Sequence, residues 1–509
     1  MLFNSWVFVF AFLPVTVAGF YLVAARGRRQ EAALAWLLAC SLAFYAWHDW
    51  RLLALILGSI GFNFLAGGAL AARAGASRPT RPLLAVAIAV NLGLLGWFKY
   101  ANLFLGTASR LFALDAIRLE IVLPLAITFF TFQQIAYLVD VSRGEAAERS
   151  WLRYALFVAF FPHLIAGPLL HHAAILRQFR DPAMFTPDAR RFAVGSTLFA
   201  LGLVSKVALA DRCARFVDPA FAAAASAAPL AWTDAAYGTL GFGFQIYFDF
   251  AGYSTMAIGL AALFGIRLPV NFDSPYKSSS IIEFWRRWHI TLSNFLRDYL
   301  YVPLGGNRRG RARRWANLMA TMLLGGLWHG ASWNFVAWGG LHGLYLVANH
   351  AWRAARPRLG VARAVPGGWL AGWALTFTAV SLAWVFFRAP SFAAAWQILA
   401  TLAAVDGLAL PDGIAARLGL GAPVAAALPS LLEPTLTLVA CAIVAFALPN
   451  AVEWMGARAP TQTTLAPRGW LARRVAWEPR ARWAVATAFL LTVGLALAAQ
   501  PNRFIYFEF

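Results

Sequence analysis

The chain has 509 residues, of which 61% are apolar and only 13% are charged, and its mean hydropathy is +0.63. Soluble proteins are about 45–50% apolar and about 25% charged, so this composition excludes a soluble enzyme, a disordered chain and a coiled coil. The apolar runs are continuous rather than alternating, which excludes an outer-membrane barrel. The formal net charge of +21 fits arginine-rich loops at a membrane surface better than nucleic-acid binding, because the arginines lie between apolar runs.

Continuous apolar runs predict an all-α polytopic membrane protein that folds as a single domain over 1–509. The runs lie at about 2–24, 32–48, 52–72, 82–105, 120–139, 152–172, 192–210, 234–264, 315–352, 369–388, 433–450 and 483–500. Because a span needs roughly 20 residues and 315–352 is long enough for two, we expect about 11 to 13 membrane segments. The run 234–264 exceeds one span and should be broken or tilted. Residues 405–432 are predicted to be a loop with short interfacial helices.

Arginine placement predicts the orientation, because loops rich in Lys and Arg face the cytoplasm. Arginines follow the first, third and fifth runs, at Arg26, Arg28, Arg29, Arg73, Arg78, Arg81, Arg143, Arg149 and Arg153. The N-terminus is therefore expected outside, with the arginine-rich loops at 308–314 and 468–482 in the cytoplasm. Residues 504–509 should lie outside or in the outer interface. The stretch 2–24 lacks a basic n-region, so we interpret it as a span and not as a signal peptide.

Polar residues concentrate between Gly241 and His342. Asp249 lies inside the apolar run GFGFQIYFDFAGYS, next to Tyr253. An ionisable group at membrane depth is a functional candidate because it costs several kcal/mol unless it is paired or hydrated. The alternative is that Asp249 braces a helix through hydrogen bonds, and the sequence favours neither.

The next stretch predicts a charged helix. Ser278, Ser279 and Ser280 can cap a helix from about Ile281. Glu283 and Arg287, His289 and Ser293, and Ser293 and Arg297 are each four residues apart and would share a helix face. Such a helix either lies at the interface with a solvated basic face or packs Glu, Arg and His toward a cavity. The density of aromatic residues favours the cavity.

His329 lies in an apolar stretch between Trp328 and Trp333, with Gly325 and Gly326 before it. A helix that begins near residue 315 would carry His329 roughly 21 Å into the membrane. A buried neutral histidine is a good proton acceptor. The alternative is a core histidine with a satisfied hydrogen bond, which is the role we expect for His342.

The motifs that the sequence lacks limit the reactions that this site can catalyse. The chain has no Gly-x-Ser-x-Gly, Walker or dinucleotide motif, and its three cysteines are far apart. No metal site is expected, since there is no His-x-x-x-His pair and the adjacent His171 and His172 would point to different faces of a helix. A buried His base, a second His and arginines that can hold phosphates suit acyl transfer from a coenzyme thioester to a hydroxyl.

Six stretches resemble the membrane-bound O-acyltransferase (MBOAT) family, in its alginate O-acetylation branch. They are FPHLIAGPLL (161–170), QIYFDFAGYSTMAIGLAALFGIRLPVNFDSPY (245–276), FWRRWHITLSNFLRDYLYVPLGGNRRG (284–310), WHGASWNFVAWGGLHGLY (328–345), WVFFRA (384–389) and FIYFEF (504–509). The most specific core is 241–345, whereas 350–480 matches loosely. Glu508 stands where the branch has Gln.

The resemblance implies a ring of tilted helices, some re-entrant or interfacial, around a central tunnel that opens to the cytoplasm. His329 corresponds to the invariant family histidine, as general base or brief acetyl carrier. His289 corresponds to a second polar residue that orients a substrate or relays a proton. Further candidates for the tunnel or donor contacts are Asp249, Tyr253, Trp285, Arg286, Arg287, Ser293, Arg297, Trp328, Ser332 and Asn334.

The resemblance also implies a reaction. Acetyl would pass from a cytoplasmic thioester, with acetyl-CoA as the expected donor, across the bacterial inner membrane to an extracellular or periplasmic polysaccharide. A separate periplasmic acetyltransferase is the expected partner. The alternatives are a D-alanyl carrier protein as donor, a lipid or protein acceptor, and a transporter or scaffold subunit without chemistry.

Overall fold

The computed structural model describes residues 1–26, 30–47, 49–115, 118–360, 367–404, 428–498 and 504–505. All the regular secondary structure of these residues is helical. Their one β-bridge is parallel and joins Leu268 to Thr461. The first helices are α1 (Leu13–Ala25), α2 (Gln30–Ala46), α3 (Leu52–Gly75), α4 (Arg81–Leu95), α5 (Ala101–Leu111), α6 (Ile127–Ser142), α7 (Trp151–Ala159), α8 (Phe161–Leu164), α9 (His172–Gln178), α10 (Ala189–Val204), α11 (Asp211–Ala225) and α12 (Trp232–Leu263). The later helices are α13 (Ile281–Arg287), α14 (Ile290–Leu296), α15 (Gly310–His329), α16 (Trp333–Ala355), α17 (Gly368–Arg388), α18 (Phe392–Ala404), α19 (Leu428–Ala442), α20 (Ala451–Met455), α21 (Gly469–Arg474) and α22 (Ala481–Leu497).

Six helical stretches of the described chain are long and apolar enough to cross a membrane. They are Phe8–Ala25, Leu52–Gly75, Arg81–Leu111, Ala189–Ala225, Trp232–Leu263 and Gly368–Arg388. The bent pair Leu431–Ala447 and Ala451–Arg458, which meets at 46°, makes a seventh if it is one broken span. The other predicted segments are shorter or more polar helices. The run 315–352 forms two of them, α15 and α16, as expected.

Two other expectations about apolar runs have different outcomes. The run 234–264 is one continuous helix of 32 residues, α12, about 48 Å long. A straight span of that length overshoots a bilayer core of about 30 Å, so tilt is the alternative that fits. Of the predicted loop at 405–432, residues 405–427 lie outside the described residues, and α19 begins at Leu428.

Helix α12 forms the centre of the protein, and 89% of its most apolar window is buried. It packs against α10, α11, α17 and α18. The chain that leaves α12 runs through 264–280 into α13 and α14, and α15 and α16 pack against each other beside them. The candidate site lies where these elements meet.

π-Helical turns extend several helices, at Phe8–Phe12, Gly96–Tyr100, Ser205–Ala210, Arg297–Tyr301 and Ile443–Ala447. A π turn inserts an extra residue and redirects the side chains around it. Two of these turns carry buried lysines, Lys99 and Lys206, which are 8% and 1% exposed. Because both lie in otherwise apolar runs, their ammonium groups need partners within the fold.

The charged helix predicted from Ile281 is two short helices. α13 begins as expected, with the Ser280 hydroxyl accepting a hydrogen bond from the Glu283 backbone N–H. It ends at Arg287, and α14 begins at Ile290. The expectation of one continuous helix through Arg297 is therefore wrong. The reason is His289, whose backbone adopts φ 41° and ψ 55°, a left-handed conformation that no right-handed helix contains.

Candidate active site

His289 is held in a strained backbone conformation between α13 and α14. A non-glycine residue in the left-handed region costs of order 1–3 kcal/mol and persists only where its surroundings enforce it. The His289 ring is fully buried and meets the Phe250 ring edge-on, with centroids 4.7 Å apart. Strain of this kind is often found at functional sites.

Asn271 enforces that conformation from the segment that follows α12. Its side-chain oxygen lies 3.1 Å from His289 Nδ1 and accepts hydrogen bonds from the Thr291 backbone N–H and hydroxyl, at 3.3 and 3.0 Å. Its backbone carbonyl accepts from the Ile290 N–H at 2.9 Å. An amide oxygen only accepts, so Nδ1 of His289 carries the proton and Nε2 presents its lone pair. Asn271 therefore sets both the position and the tautomer of His289.

His329 is the last residue of α15 and is enclosed by aromatic rings. The centroids of Trp328, Trp338 and Phe387 lie 4.8, 5.0 and 5.1 Å from its own. The His289 ring lies 6.5 Å away, centroid to centroid. The two predicted histidines, one from the link between α13 and α14 and one from the end of α15, thus share one buried aromatic chamber.

Lys99 caps the C-terminal end of α15 through hydrogen bonds, a role that we did not predict. Its ammonium donates to the backbone carbonyls of Trp328 and His329, at 2.7 and 3.1 Å, and to the Thr128 hydroxyl at 3.3 Å. The neighbouring Tyr100 hydroxyl donates to the Leu327 carbonyl at 2.8 Å. A cation is favourable at a helix C-terminus, where the last carbonyls have no intrahelical partner. Lys99 therefore fixes the backbone from which the His329 side chain projects.

The backbones of α15 and α16 come into contact where the two helices cross, about one turn before His329. A Cβ built on Gly326 would lie 2.1 Å from the carbonyl oxygen of Phe335. A Cβ on Gly339 would lie 2.2 Å from the carbonyl oxygen of Met322. Glycine is required at both positions because no side chain fits between the helices. This close approach places Trp338 of α16 directly beside the His329 ring.

Trp285 and His342 form a second layer behind the chamber. The Trp285 indole N–H donates to His342 Nδ1 at 3.2 Å. Trp338 contacts both histidines, with ring centroids 4.8 Å from His342 and 5.0 Å from His329. His342 and Trp285 are therefore placed to support Trp338.

Asp249 and Tyr253 face a different polar cluster. Asp249 pairs with the Lys206 ammonium, which also lies 2.9 Å from Asp211, and accepts from the Ile505 backbone N–H at 2.9 Å. The Tyr253 ring packs on Phe504, with centroids 4.7 Å apart. Within α12, Phe250 is the residue that contacts the His289 ring. The geometry of Asp249 matches the bracing alternative, since it joins α12 to the turn after α10 and to residue 505.

The remaining predicted residues support helix ends and the mouth of the site. The Ser332 hydroxyl caps α16 by accepting from the Asn334 N–H at 3.2 Å, and the Asn334 side chain donates to the Ala389 carbonyl at 2.8 Å. The Ser293 hydroxyl donates to the Trp288 carbonyl at 3.2 Å. Three arginines lie further out: Arg287 pairs with Glu283 at 2.7 Å, Arg297 pairs with Asp298 at 2.7 Å, and Arg286 is exposed.

A cavity of about 290 Å³ opens beside this segment. It is lined by Ser274, Lys277, Arg287, Glu453, Arg468 and Trp470, among others. Burial lowers the pKa of Lys277, whose ammonium donates to the Leu448 carbonyl at 2.6 Å. Arg287 precedes His289 by two residues, so the cavity wall and the histidine belong to one short stretch of chain. Cationic side chains in such a wall can hold phosphate groups.

Comparisons with known proteins identify the family of this chain. The sequence profile of MBOAT, the membrane-bound O-acyltransferase family, matches residues 142–389. A peptidoglycan O-acetyltransferase from Helicobacter pylori is 40% identical, over 81% of this chain and 81% of its own. A probable alginate O-acetylase from Pseudomonas aeruginosa is 42% identical, over 78% of this chain and 74% of its own. A teichoic acid D-alanyltransferase from Streptococcus thermophilus is 29% identical, over 45% of this chain and 57% of its own.

These matches confirm the resemblance to the membrane-bound O-acyltransferase family. The identity of 40% extends over four fifths of both chains, far beyond the motifs around His289 and His329. The apolar helices described above agree with a multi-pass membrane protein. The chain therefore belongs to the membrane-bound O-acyltransferase family and is a multi-pass membrane acyltransferase.

Proposed function

We propose that this protein takes acetyl from acetyl-CoA on the cytoplasmic side of the bacterial inner membrane and passes it outward for O-acetylation of a polysaccharide. The observation that carries the proposal is the shared chamber of His289 and His329, whose ring centroids are 6.5 Å apart. The relatives named for O-acetylation of peptidoglycan and alginate support acetyl as the acyl group.

In the proposed reaction His329 is the general base. It takes the proton of an acceptor hydroxyl, and the oxygen attacks the carbonyl carbon of the thioester. The carbon–sulfur bond then breaks, the thiolate leaves, and His329 returns the proton to sulfur. The products are an acetyl ester and a free thiol. His289, with Nε2 as acceptor, orients the acceptor molecule through a second donor group, because the one proton of the attacking hydroxyl goes to His329.

The proposed donor route uses the cavity that Arg287 lines. Lys277, Arg287 and Arg468 line it and offer cationic donors to the phosphates of the coenzyme. The apolar chamber around His329 then takes the acetyl end. This route agrees with the proposed orientation, in which the N-terminus is outside and the arginine-rich loops, including 468–482, are cytoplasmic.

The acceptor side is proposed to involve a partner. A periplasmic acetyltransferase would receive the acetyl group, or the polysaccharide would receive it directly. A second candidate is D-alanyl transfer from a carrier protein, which the match to a teichoic acid D-alanyltransferase favours. The membrane itself is the third partner, since the helices described above need a bilayer.

The test measures ester-bound acetate on the extracellular glycan of cells that express the wild type, His329→Ala, His289→Ala or the control His350→Ala. His350 is a half-buried histidine on α16, outside the aromatic chamber as described. We expect His329→Ala to abolish acetylation at normal protein level, His289→Ala to reduce it strongly, and His350→Ala to leave it unchanged. Full acetylation in a folded His329→Ala protein would overturn the proposal.

A second measurement separates the donors. Purified protein in nanodiscs is incubated with a soluble glycan that supplies the acceptor hydroxyl and with either radiolabelled acetyl-CoA or a D-alanyl carrier protein, and thiol release is followed. Release from acetyl-CoA that stops in His329→Ala supports the first candidate. Release from the carrier protein alone would replace it with the second.

A further inference from the structure

A mixed cluster of two histidines and two carboxylates lies outside the acyl-transfer site. Asp140, Glu145, His171 and His172 each offer a ligand atom, and these atoms all lie within 4.8 Å of one another. The residues come from the end of α6, the turn after it, and the start of α9. Neither the aromatic chamber nor the donor cavity includes them.

The local backbone brings the four side chains together. Gly144 adopts φ 105°, which glycine tolerates, and the turn returns the chain so that the Glu145 N–H donates to the Asp140 carbonyl at 3.0 Å. His171 is extended and His172 is the first residue of α9. Their rings therefore stack, with centroids 5.4 Å apart and planes 20° apart. The expectation that they point to different faces is wrong because only one of them is helical.

The buried histidine of the cluster, His172, lacks ordinary hydrogen-bond partners among the described residues. The His172 side chain is 2% exposed, and neither of its ring nitrogens makes a hydrogen bond among the described residues. Asp140 and Glu145 oxygens lie 3.6 Å from Nδ1 and 3.5 Å from Nε2. His171 Nε2 lies 3.1 Å from Asp140 and 3.7 Å from Glu145. A buried imidazole without a hydrogen bond is costly, so an ion bound to His172 would explain this arrangement.

We propose that Asp140, Glu145, His171 and His172 bind a divalent transition metal ion, with Zn²⁺ as the best match. Two imidazoles and two carboxylates are a common donor set for zinc. Tetrahedral zinc with bonds of about 2.0–2.1 Å needs donor atoms about 3.3 Å apart. His172 would bind through one of its two nitrogens, and the four ligand atoms, which lie within 4.8 Å of one another, would close around the ion by side-chain rotation. Two carboxylates neutralise the charge of the ion, which makes the partly buried position favourable.

The surroundings of the cluster fit a metal site. The Tyr299 hydroxyl donates to Asp140 Oδ2 at 2.7 Å and would orient that ligand from the second coordination sphere. His171 and Glu145 are 48% and 41% exposed, which gives the ion a path from solvent. The ion would join α6 and α9 through their side chains.

The ion would also steady the segment that carries His289. Leu169, two residues before His171, donates its N–H to the Thr291 hydroxyl at 3.0 Å. Thr291 in turn contacts Asn271, which holds His289. Tyr299 lies in the π turn that follows α14. Metal binding itself is independent of the proposed acyl transfer, so the two proposals can fail separately.

The test uses the full chain in nanodiscs, stripped with EDTA and dialysed. Zn²⁺ is titrated in competition with a fluorescent chelator, and bound metal is counted by mass spectrometry. The variants are His171→Ala and Glu145→Gln, whose side chains are partly exposed and so least disturb folding, with His350→Ala as the control. We expect one zinc per chain in the wild type and His350→Ala, and at least about 100-fold weaker binding in the two cluster variants.

Two results would overturn the proposal. One is the absence of saturable zinc binding by the folded wild type, which would leave the cluster as contacts between the two histidines and the two carboxylates. The other is equal affinity in His171→Ala and His350→Ala, which would place the zinc elsewhere. X-ray absorption of the loaded protein should show nitrogen and oxygen ligands with two imidazoles. A sulfur ligand would contradict the assignment.

Discussion

His289 and His329 face each other across 6.5 Å between ring centroids, with their planes at 61°. Each ring is positioned by a residue from another part of the chain. Asn271 holds His289 through its side chain, and Lys99 holds the backbone carbonyl of His329. This separation is within the range of neighbouring ring pairs, so the two imidazoles belong to one local site.

Replacing Asn271 with Leu should impair turnover more than binding. The variant removes the acceptor that fixes the tautomer of His289, and the left-handed backbone loses its main support. We expect kcat to fall by about 100-fold with a much smaller change in KM, because the group is misplaced rather than lost. Initial rates over a range of acetyl-CoA concentrations measure both. Asn294→Leu, at an exposed position on α14, is the matched control, and a wild-type kcat in Asn271→Leu would contradict the assigned role.

Replacing Lys99 with Met should destabilise the end of α15. The carbonyl oxygens of Trp328 and His329 would lose their shared donor, and each buried group left without one costs about 1–3 kcal/mol. We expect a lower midpoint of thermal unfolding in nanodiscs and a loss of activity, with partial rescue in Lys99→Arg. Thr128→Val removes only a 3.3 Å contact to the same ammonium and should have a small effect. Equal stability of Lys99→Met and wild type would show that the carbonyls find other donors.

Replacing Lys206 should destabilise the protein more than replacing its buried partner Asp249. Lys206→Met leaves Asp249 and Asp211 without their shared cation, and an unpaired buried charge costs about 3–5 kcal/mol. Asp249→Asn leaves Lys206 with Asp211, so its cost should be smaller. Abundance in the membrane and resistance to unfolding by detergent measure the difference.

Activity per folded molecule then separates bracing from a catalytic role for Asp249. We expect Asp249→Asn to keep it near the wild-type value, because the residue contacts Lys206 and Ile505 while Phe250 is the α12 residue against His289. An abundant but inactive Asp249→Asn protein would instead support the predicted role of Asp249 in the substrate tunnel.

Alanine substitutions at two glycines near the same helix crossing should have very different effects on folding. Gly326→Ala places a methyl group 2.1 Å from the Phe335 carbonyl oxygen, so α15 and α16 must separate. In Gly340→Ala the added carbon lies 3.5 Å from Leu323, an ordinary contact. We expect little folded Gly326→Ala protein and a normal amount of Gly340→Ala. Size-exclusion profiles of the two detergent extracts make the comparison, and normal folding of Gly326→Ala would contradict the close approach.

Donor binding should weaken at alkaline pH through Lys277. Burial lowers the pKa of Lys277, so its charge is lost at a lower pH than that of an ordinary lysine. If this charge holds a coenzyme phosphate, KM for acetyl-CoA rises as the pH rises. Lys277→Arg keeps its charge and should flatten that rise. If KM for acetyl-CoA depends on pH identically in wild type and Lys277→Arg, Lys277 does not bind the donor.

The sequence was informative where the signal is local. The apolar runs around α3, α12 and α17 predicted helices because hydropathy alone identifies a span. His329 stood out because a histidine in such a run is rare. The separate α13 and α14 could not be foreseen, since WRRWHITL contains no glycine or proline and the left-handed His289 depends on Asn271 from another segment.

The two buried lysines carried a signal that we did not use. Lys99 and Lys206 each stand alone in an apolar run, and by the argument applied to Asp249 each needed a partner. The identity of those partners is a tertiary property: Lys99 meets carbonyls more than 200 residues away. His171 and His172 were misjudged for a related reason, because their placement depends on where α9 begins.

The polar shell of Asp249 comes from parts of the chain that are synthesised at different times. Translation produces Lys206 before Asp249, whereas Ile505 follows Asp249 by 256 residues. A lone aspartate at the centre of a helix adds about 2.5–3.5 kcal/mol to the free energy of membrane insertion. Joint insertion of α10, α11 and α12 lets Lys206 offset that cost while the ribosome is still making the later helices. The contacts of residues 504 and 505 with Asp249 and Tyr253 can form only after these residues have been made, so this part of the α12 surface is among the last to be covered.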